Sequence, residues 1–547
     1  MGSLKVLYSG KSILERTIKN SKSTNILLIL SFFVALFVFF KNAWISEDAY
    51  ILFRSIEQLF AGNGPVWNPH ERVQVFTSPL WFWVLSFGRL FSSDIYLITI
   101  MVSFLLWLFT IVILKQLFNN NKTLFIGVLL FSASTGFFDY TSSGLENSLA
   151  YFLISLYLFY YNKLFSSKKE NVVDTHLKQE KHFVKIILFI FGLLICVRHD
   201  LVFLLLPSVI YILWRYQNFY TKKKWILVFF ISFLPIIMWT LFALLYYGFP
   251  LPNTAYAKLN IDINRIAIIK QGLKYFLVSL KFDVITIIVI CSTLFLSFKK
   301  FSKRNHFDYI AYGIALNLIY IIYVGGDFML GRFMSYSYFA SVLIMLLKDS
   351  KRFTIRSHYK YFLWIIIVLY LFAYPRTPFK TSLDYSYKKI HLGVANERGY
   401  YFKDQSLYRY ILDKGKKKYF PIVNSAKNGC NFKENSSPIS LKLYIGIFGY
   451  WAGTDKIIID VLALSDPLLA RMPVEKGEWR IGHFIRKIPK GYIESVYKNK
   501  ELIAQKSVNE FYKKMKIITQ GKVLFDKERI KVILLMNLGW YNYLLGR

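Results

Sequence analysis

The feature that most constrains this chain is a long apolar run that recurs throughout its first 374 residues. NILLILSFFVALFVFF (25–40) and YFLWIIIVLYLF (361–372) carry no charged side chain. Runs of this kind approach the roughly 20 helical residues needed to cross a bilayer. Composition agrees: 55% of the residues are hydrophobic and 19% aromatic, more than a water-soluble core would hide. The class that fits is a polytopic membrane protein, mainly α-helical.

Eleven spans are expected, near residues 24–40, 95–114, 123–138, 147–162, 183–196, 200–213, 225–246, 282–297, 308–323, 333–347 and 361–374. Flanking Tyr, Trp and Ser complete the shorter cores. The first run follows a basic leader without a small-residue cleavage site, so it reads as a span rather than a signal peptide. The net charge of +37 would point to nucleic acid in a soluble protein, but here location decides its meaning. Loops expected inside carry 25 Lys or Arg in 85 residues and those expected outside 11 in 110, which puts the N-terminus inside and everything beyond 374 outside. A span over 79–91 (PLWFWVLSFGRLF) would invert the N-terminus, so this segment is expected along the interface, within a first outer loop of 41–94. The location implied is the bacterial cytoplasmic (inner) membrane. Cys196, Cys291 and Cys430 lie far apart and offer neither a disulfide framework nor a metal site.

The chain divides into a membrane part, 1–374, and a tail, 375–547, in which Gly, Pro, Asp and Glu return. The tail is expected to form a mixed α/β extracytoplasmic domain. LKLYIGIFGY (441–450) and KIIIDVLALS (456–465) read as strands, and 502–516 and 534–545 as helical. The Ser/Lys stretch 166–181 reads as a flexible inside loop.

Polar clusters collect on the expected outer side. Acids and arginines at a membrane surface are costly unless paired or wetted, so each cluster is a candidate site. Glu47 and Asp48 follow the first span; Asp139 and Glu146 flank a Thr-Ser-Ser-Gly turn; Arg198 and Asp200 sit between two apolar runs. Asn253 and Lys258 lie in a Pro-rich turn, and Asp327 and Arg332 close a Gly-Gly turn. Structural readings stand beside these: Glu146 as a helix cap, Arg198 with Asp200 as a mutual pair, Arg332 snorkelling, Asn253 and Lys258 as turn residues. A carboxylate beside arginines suits transfer of a group from a lipid phosphate. The carboxylate takes a proton from an acceptor hydroxyl, and arginine stabilises the departing phosphate.

The ordered motifs Glu47-Asp48-Ala49-Tyr50, Asn68-Pro69-His70-Glu71-Arg72-Val73, Thr77-Ser78-Pro79-Leu80-Trp81, Ser143-Gly144-Leu145-Glu146, Arg198-His199-Asp200, Pro250-Leu251-Pro252-Asn253-Thr254 and Gly325-Gly326-Asp327 carry a resemblance that continues into the tail. There the matching segments are Glu397-Arg398-Gly399-Tyr400, Ile459-Asp460, Ser465-Asp466-Pro467-Leu468-Leu469-Ala470-Arg471 and Trp479-Arg480-Ile481-Gly482-His483-Phe484. Together they resemble the integral membrane glycosyltransferases of the C fold (GT-C), and within them the mycobacterial terminal β-(1→2)-arabinofuranosyltransferase family and its Gram-negative relatives. The chain departs from that family's pattern at Glu47, His70 and His199, where Asp, Gly and Pro are usual. The resemblance implies a sugar, such as arabinofuranose, moved from a polyprenyl-phosphate donor to a cell-envelope glycan or glycolipid. By the resemblance Asp48 would be the catalytic carboxylate with Glu47 as its partner; the outer arginines Arg332 and Arg198 are the expected contacts of the donor phosphate. Asp466, Arg471 and His483 are further site candidates, and the Asp466–Arg471 segment is expected nearest the site.

No cofactor is required by this reading, with a divalent cation on the carboxylates as an alternative. Membrane lipids and the two substrates are the expected partners of a monomer, and nucleic acid is not. A transporter or flippase of a lipid-linked sugar is the alternative function. It needs two-sided access and often shows polar groups at the midplane and inverted repeats, and the sequence shows neither.

Overall fold

The computed structural model describes residues 25–118, 120–166, 173–259, 261–299, 305–352, 367–475, 477 and 479–546. Helices dominate. The membrane part runs α1 (Asn25–Asn42), α2 (Ala49–Phe60), α3 (Pro79–Arg89), α4 (Ile95–Leu117), α5 (Asn121–Ala133), α6 (Thr135–Phe138), α7 (Asn147–Ser166) and α8 (Val173–Val197). It continues with α9 (Leu201–Arg215), α10 (Lys222–Tyr246), α11 (Asn253–Leu259), α12 (Arg265–Phe282), α13 (Val284–Phe298), α14 (His306–Tyr323), α15 (Met334–Arg352) and α16 (367–373).

Among the described residues α1, α4 and α10 are long and apolar enough to cross a membrane. The pair α12 and α13, bent by 112°, would make a fourth span. The chain is therefore a mostly helical membrane protein. Helices stand at the expected spans, except that the first part of 361–374 lies outside the described residues. The stretch expected as an inside loop at 166–181 is already helical from Val173, with 167–172 outside the described residues. At 1.5 Å per residue the 11-residue α3 reaches about 16 Å, too short to cross, and it leaves Trp83 and Phe87 exposed while burying Trp81 and Phe82.

Close packing uses missing side chains. A Cβ on Gly192 would stand 2.2 Å from the Ser232 carbonyl oxygen, which lets α8 lie directly on α10. A Cβ on Gly313 would stand 1.8 Å from the Leu204 carbonyl oxygen, and α14 meets α9 in the same way. The bend between α12 and α13 is held by Asp283. Its carboxylate accepts from the Gly136 backbone N–H at 2.7 Å, from Thr286 at 2.7 Å and from Ser134 at 3.0 Å. One buried acid thus satisfies the break between α5 and α6 as well as its own.

The tail contains α17 (Glu397–Gln405), α18 (Leu407–Asp413), α19 (Asn424–Glu434), α20 (Gly446–Trp451), α21 (Tyr492–Lys498), α22 (Lys506–Gln520) and α23 (Lys527–Asn537). Its strands are short: β1 (Ile390–His391) pairs antiparallel with β2 (Val394–Ala395), and β3 (Ile439–Lys442) pairs parallel with β4 (Ile457–Asp460). The mixed α/β expectation thus reduces to two small two-stranded sheets among helices. The strand expected over 441–450 stops at Lys442, and 446–451 turns helical to face Glu47. The expected helix 534–545 ends at Asn537, followed by a 3-10 turn over Asn542–Leu545.

Four fully buried arginines fasten the tail to the membrane part. Arg54 of α2 donates to the carbonyls of Gly449, Gly453 and Lys456. Arg398 pairs with Asp139 at 3.3 Å. Arg486 donates to the Ala257 carbonyl, and Arg529 to those of Leu245 and Tyr246. Ile447, Phe448 and Ile458 join the apolar core of the membrane helices, while α22 and α23 build a smaller cluster around Phe511 and Ile518.

Candidate active site

Asp48 is the N-cap residue of α2, yet its carboxylate makes no capping hydrogen bond. Asp200 behaves identically at the start of α9. By contrast Asp94 and Asp526 cap their helices in the ordinary way, accepting from Leu97 and Arg529 backbone N–H groups. Neither acid is spent on capping its helix, and both belong to one cluster, where Asp200 is paired with Arg198.

The 139–146 loop forms one wall of the cluster. The Ser46 backbone N–H donates to the Ser143 carbonyl at 2.7 Å, and the Trp44 and Trp81 indoles donate to the carbonyls of Asp139 and Gly144. Gly144 has φ +83°, and a Cβ there would stand 2.7 Å from that of Ala49, so the loop lies flat on the Glu47-Asp48 turn. Glu146 then reaches two arginines. Arg198 donates to it at 2.7 Å and grips Asp200 with both prongs at 2.9 Å. Arg332 meets Glu146 at 3.4 Å and Asp327 at 3.8 Å. Burial alone would raise the Glu146 pKa, but Arg332 and Arg198 hold it below the usual carboxylate value.

Asp48 lies in the field of the same groups. Burial raises its pKa, Arg332 and Lys258 pull it back, and Asp327 and Glu146 push it up. Lys258, on α11, is exposed along its length, yet the protein packed around its ammonium and the nearby Arg332 lower its pKa against the pull of Asp327 and Asp48. Glu47 turns the other way. It accepts from the Ile447 backbone N–H at 3.2 Å, and burial together with the Asp48 charge pushes it up to about 8. Burial raises both acids of the Glu47–Asp48 pair, and only Asp48 is pulled back by cations, Arg332 and Lys258.

The tail adds groups not singled out as site residues in the sequence. Met329 and Ala395 form a parallel bridge, with the Leu330 N–H donating to the Ala395 carbonyl at 2.9 Å. That bridge carries Glu397 to the acids: burial, then the Asp48 charge, raises its pKa well above the carboxylate range. Arg480 stacks 5.2 Å from the Phe328 ring centre and keeps one terminal nitrogen without a hydrogen-bond partner. Both residues stand in quoted motifs, but no local pattern marks them; only the pairing of the tail with the 325–332 turn does. His483 packs edge-on against Phe328, and burial with Arg480 nearby lowers it to about 4, so it is neutral.

The remaining candidates lie elsewhere. Asp139 is paired with Arg398, and burial raises its pKa to about 7. Asn253 donates to the carbonyls of Ala463, Leu464 and Asp466. Asp466 accepts from the Leu469 N–H and the Tyr492 hydroxyl, while Arg471 bonds Asn253 and Pro467 between the rings of Phe249 and Tyr256. The void beside them, lined by Arg72, Tyr247 and Asn253 among others, holds about 10 Å³, room for one water at most. Among the described residues no three His, Cys, Asp or Glu side chains are arranged to hold a metal ion.

The chain is 26% identical over 230 residues to the terminal beta-(1->2)-arabinofuranosyltransferase of Mycobacterium tuberculosis, covering 40% of this chain and 35% of that one. It is 34% identical over 154 residues to the enzyme of the same name from Corynebacterium glutamicum, covering 25% and 22%. The chain is related to the terminal arabinofuranosyltransferases. It matches about a third or less of the length of these relatives. No family model matches the chain, and no solved structure does.

Proposed function

We propose that the protein is a polyprenyl-phosphate-sugar-dependent glycosyltransferase that acts at the outer face of the bacterial cytoplasmic membrane. It transfers a sugar, with arabinofuranose as the first donor to test, to a cell-envelope glycan or glycolipid. The chain crosses eleven times as a GT-C-like catalytic unit over 1–374, and the tail over 375–547 contacts the acceptor. The observation that carries this reading is the convergence of an uncapped carboxylate, Asp48, with Arg332, Lys258 and Arg198.

The acceptor hydroxyl attacks the anomeric carbon while the bond from that carbon to the phosphate oxygen breaks. Asp48 takes the hydroxyl proton, and the raised pKa of a buried carboxylate makes it a stronger base. Polyprenyl phosphate leaves with the added negative charge, stabilised by Arg332 and Lys258. Arg332 is the better phosphate contact of the two arginines, because its carboxylate contacts are long and its Nε has no hydrogen-bond partner. Arg198 is saturated by Glu146 and Asp200, and it positions Glu146, which in turn positions Arg332. Glu47 holds the turn against α20 by accepting from the Ile447 backbone N–H.

The test is transfer by the purified full chain in nanodiscs, using a panel of polyprenyl-phosphate pentoses and hexoses with radiolabelled sugar. Transfer that needs the lipid donor and is lost in Asp48→Asn supports the reading. Equal activity with a nucleotide sugar, or movement of the lipid across the bilayer without transfer, overturns it.

A further inference from the structure

Helix α23 is apolar on two sides. Val532, Ile533 and Met536 face the tail's inner cluster, which accounts for one of them. The opposite side carries Ile530, Leu534 and Leu538 and is extended by Phe525 before the helix, and Trp540 and Tyr543 just after the helix are exposed as well. Leu538 is 79% exposed, Phe525 72% and Trp540 67%. Leu534, Leu538 and Phe525 line an open groove of about 530 Å³ together with Lys527 and Lys531. An aqueous domain does not ordinarily leave so continuous an apolar surface open.

The position of the helix identifies what covers it. Arg529 donates to the carbonyls of Leu245 and Tyr246 at 2.7 and 2.9 Å, and Asn537 to that of Gly248 at 2.8 Å. These three carbonyls end α10, whose 25 residues at 1.5 Å each reach about 37 Å, enough to cross the roughly 30 Å hydrocarbon layer and emerge in the headgroups. The outward side of α10 is itself bare and apolar at Met238, Leu241 and Leu245. The face of α23 therefore continues a lipid-facing surface at headgroup depth. Trp and Tyr are the aromatic residues enriched at that depth, and Lys522, Lys527 and Lys531 supply positive charge beside it.

We propose that this face of α23, with Phe525, Trp540 and Tyr543, lies in the interface of an anionic bilayer and ties the tail to the membrane beside α10. The proposal does not depend on the reaction assigned above. It is tested on the unaltered full chain in nanodiscs containing a photoactivatable phosphatidylglycerol, with adducts mapped by mass spectrometry. Adducts on peptides covering 523–546 as well as on α10 are expected. Their yield on 523–546 should fall several-fold in discs of photoactivatable phosphatidylcholine alone, and likewise in a Lys527→Gln/Lys531→Gln variant in phosphatidylglycerol. Adducts on α10 with none on 523–546 overturn the proposal, as do protein–protein crosslinks joining this face to a second copy. Yields that do not depend on lipid charge overturn the anionic assignment.

Discussion

Two buried clusters join the membrane part to the tail, and both contain acids, an arginine and aromatic rings. Around Asp466 and Arg471 the polar atoms bond mainly to backbone: Asp466 caps Leu469, Arg471 donates to Pro467, and Asn253 donates to three carbonyls. Around Asp48 the bonds run from side chain to side chain, between Arg198, Glu146, Asp200, Arg332 and Asp327; unpartnered atoms occur in both clusters, Arg471 Nη2 in the first and Arg332 Nε with an Asp327 oxygen in the second. Backbone partners cannot be rearranged without unfolding, whereas ion pairs can exchange one anion for another. Charge alone does not distinguish a lock from a site; the partners do.

The difference is broken most directly by exchanging one carboxylate in each cluster. Asp48→Asn should lower turnover by roughly 10²-fold or more with the melting temperature in nanodiscs little changed. Near-normal turnover at limiting donor and acceptor would move the base to Asp327. Arg471→Met should do the reverse. Loss of its bonds to Asn253 and Pro467 and of its place between Phe249 and Tyr256 should destabilise the tail by about 2 kcal/mol, read by chemical denaturation, with turnover per folded molecule held within about twofold.

A smaller effect sharpens the division within the active cluster. Arg332→Ala should raise the donor concentration for half-maximal rate by about tenfold while leaving that for acceptor within about twofold. Equal increases for both substrates would make Arg332 a general structural contact. The smallest effect concerns pH. Glu71, near Asp466, is raised by burial to about 8 from an ordinary 4.5, so the stability it contributes is fully present below about 4.5 and is lost as pH rises through 8. Glu71→Gln should flatten that loss of tail stability, seen as a melting temperature less dependent on pH between about 4.5 and 8. An unchanged pH profile would assign the loss to other groups.

The class, a mostly helical membrane protein, was legible in the sequence, and three of the expected spans stand as helices long and apolar enough to cross among the described residues, since an apolar run with no charge has few other solutions. The clusters at Glu47-Asp48, Glu146, Arg198, Asp327 and Arg332 were legible too, because ionisable groups beside such runs are rare and costly. Asp466 and Arg471 looked the same in sequence as Asp48 and Arg332, and nothing local told the lock from the site.

What the sequence by itself determined is the class of molecule and most of the polar residues that gather at the candidate site, because hydropathy and desolvation act residue by residue. Which of those residues meet was decided by tertiary structure. Glu397 reaches Asp48 through the bridge between Met329 and Ala395, residues 66 positions apart in the numbering, and α20 forms where a strand is expected because it packs on α2 and its first turn faces Glu47. The parallel pair of β3 and β4 was settled in the same way, by a partner segment beyond an intervening helix, since a four-residue segment has too little propensity of its own to choose between strand and helix.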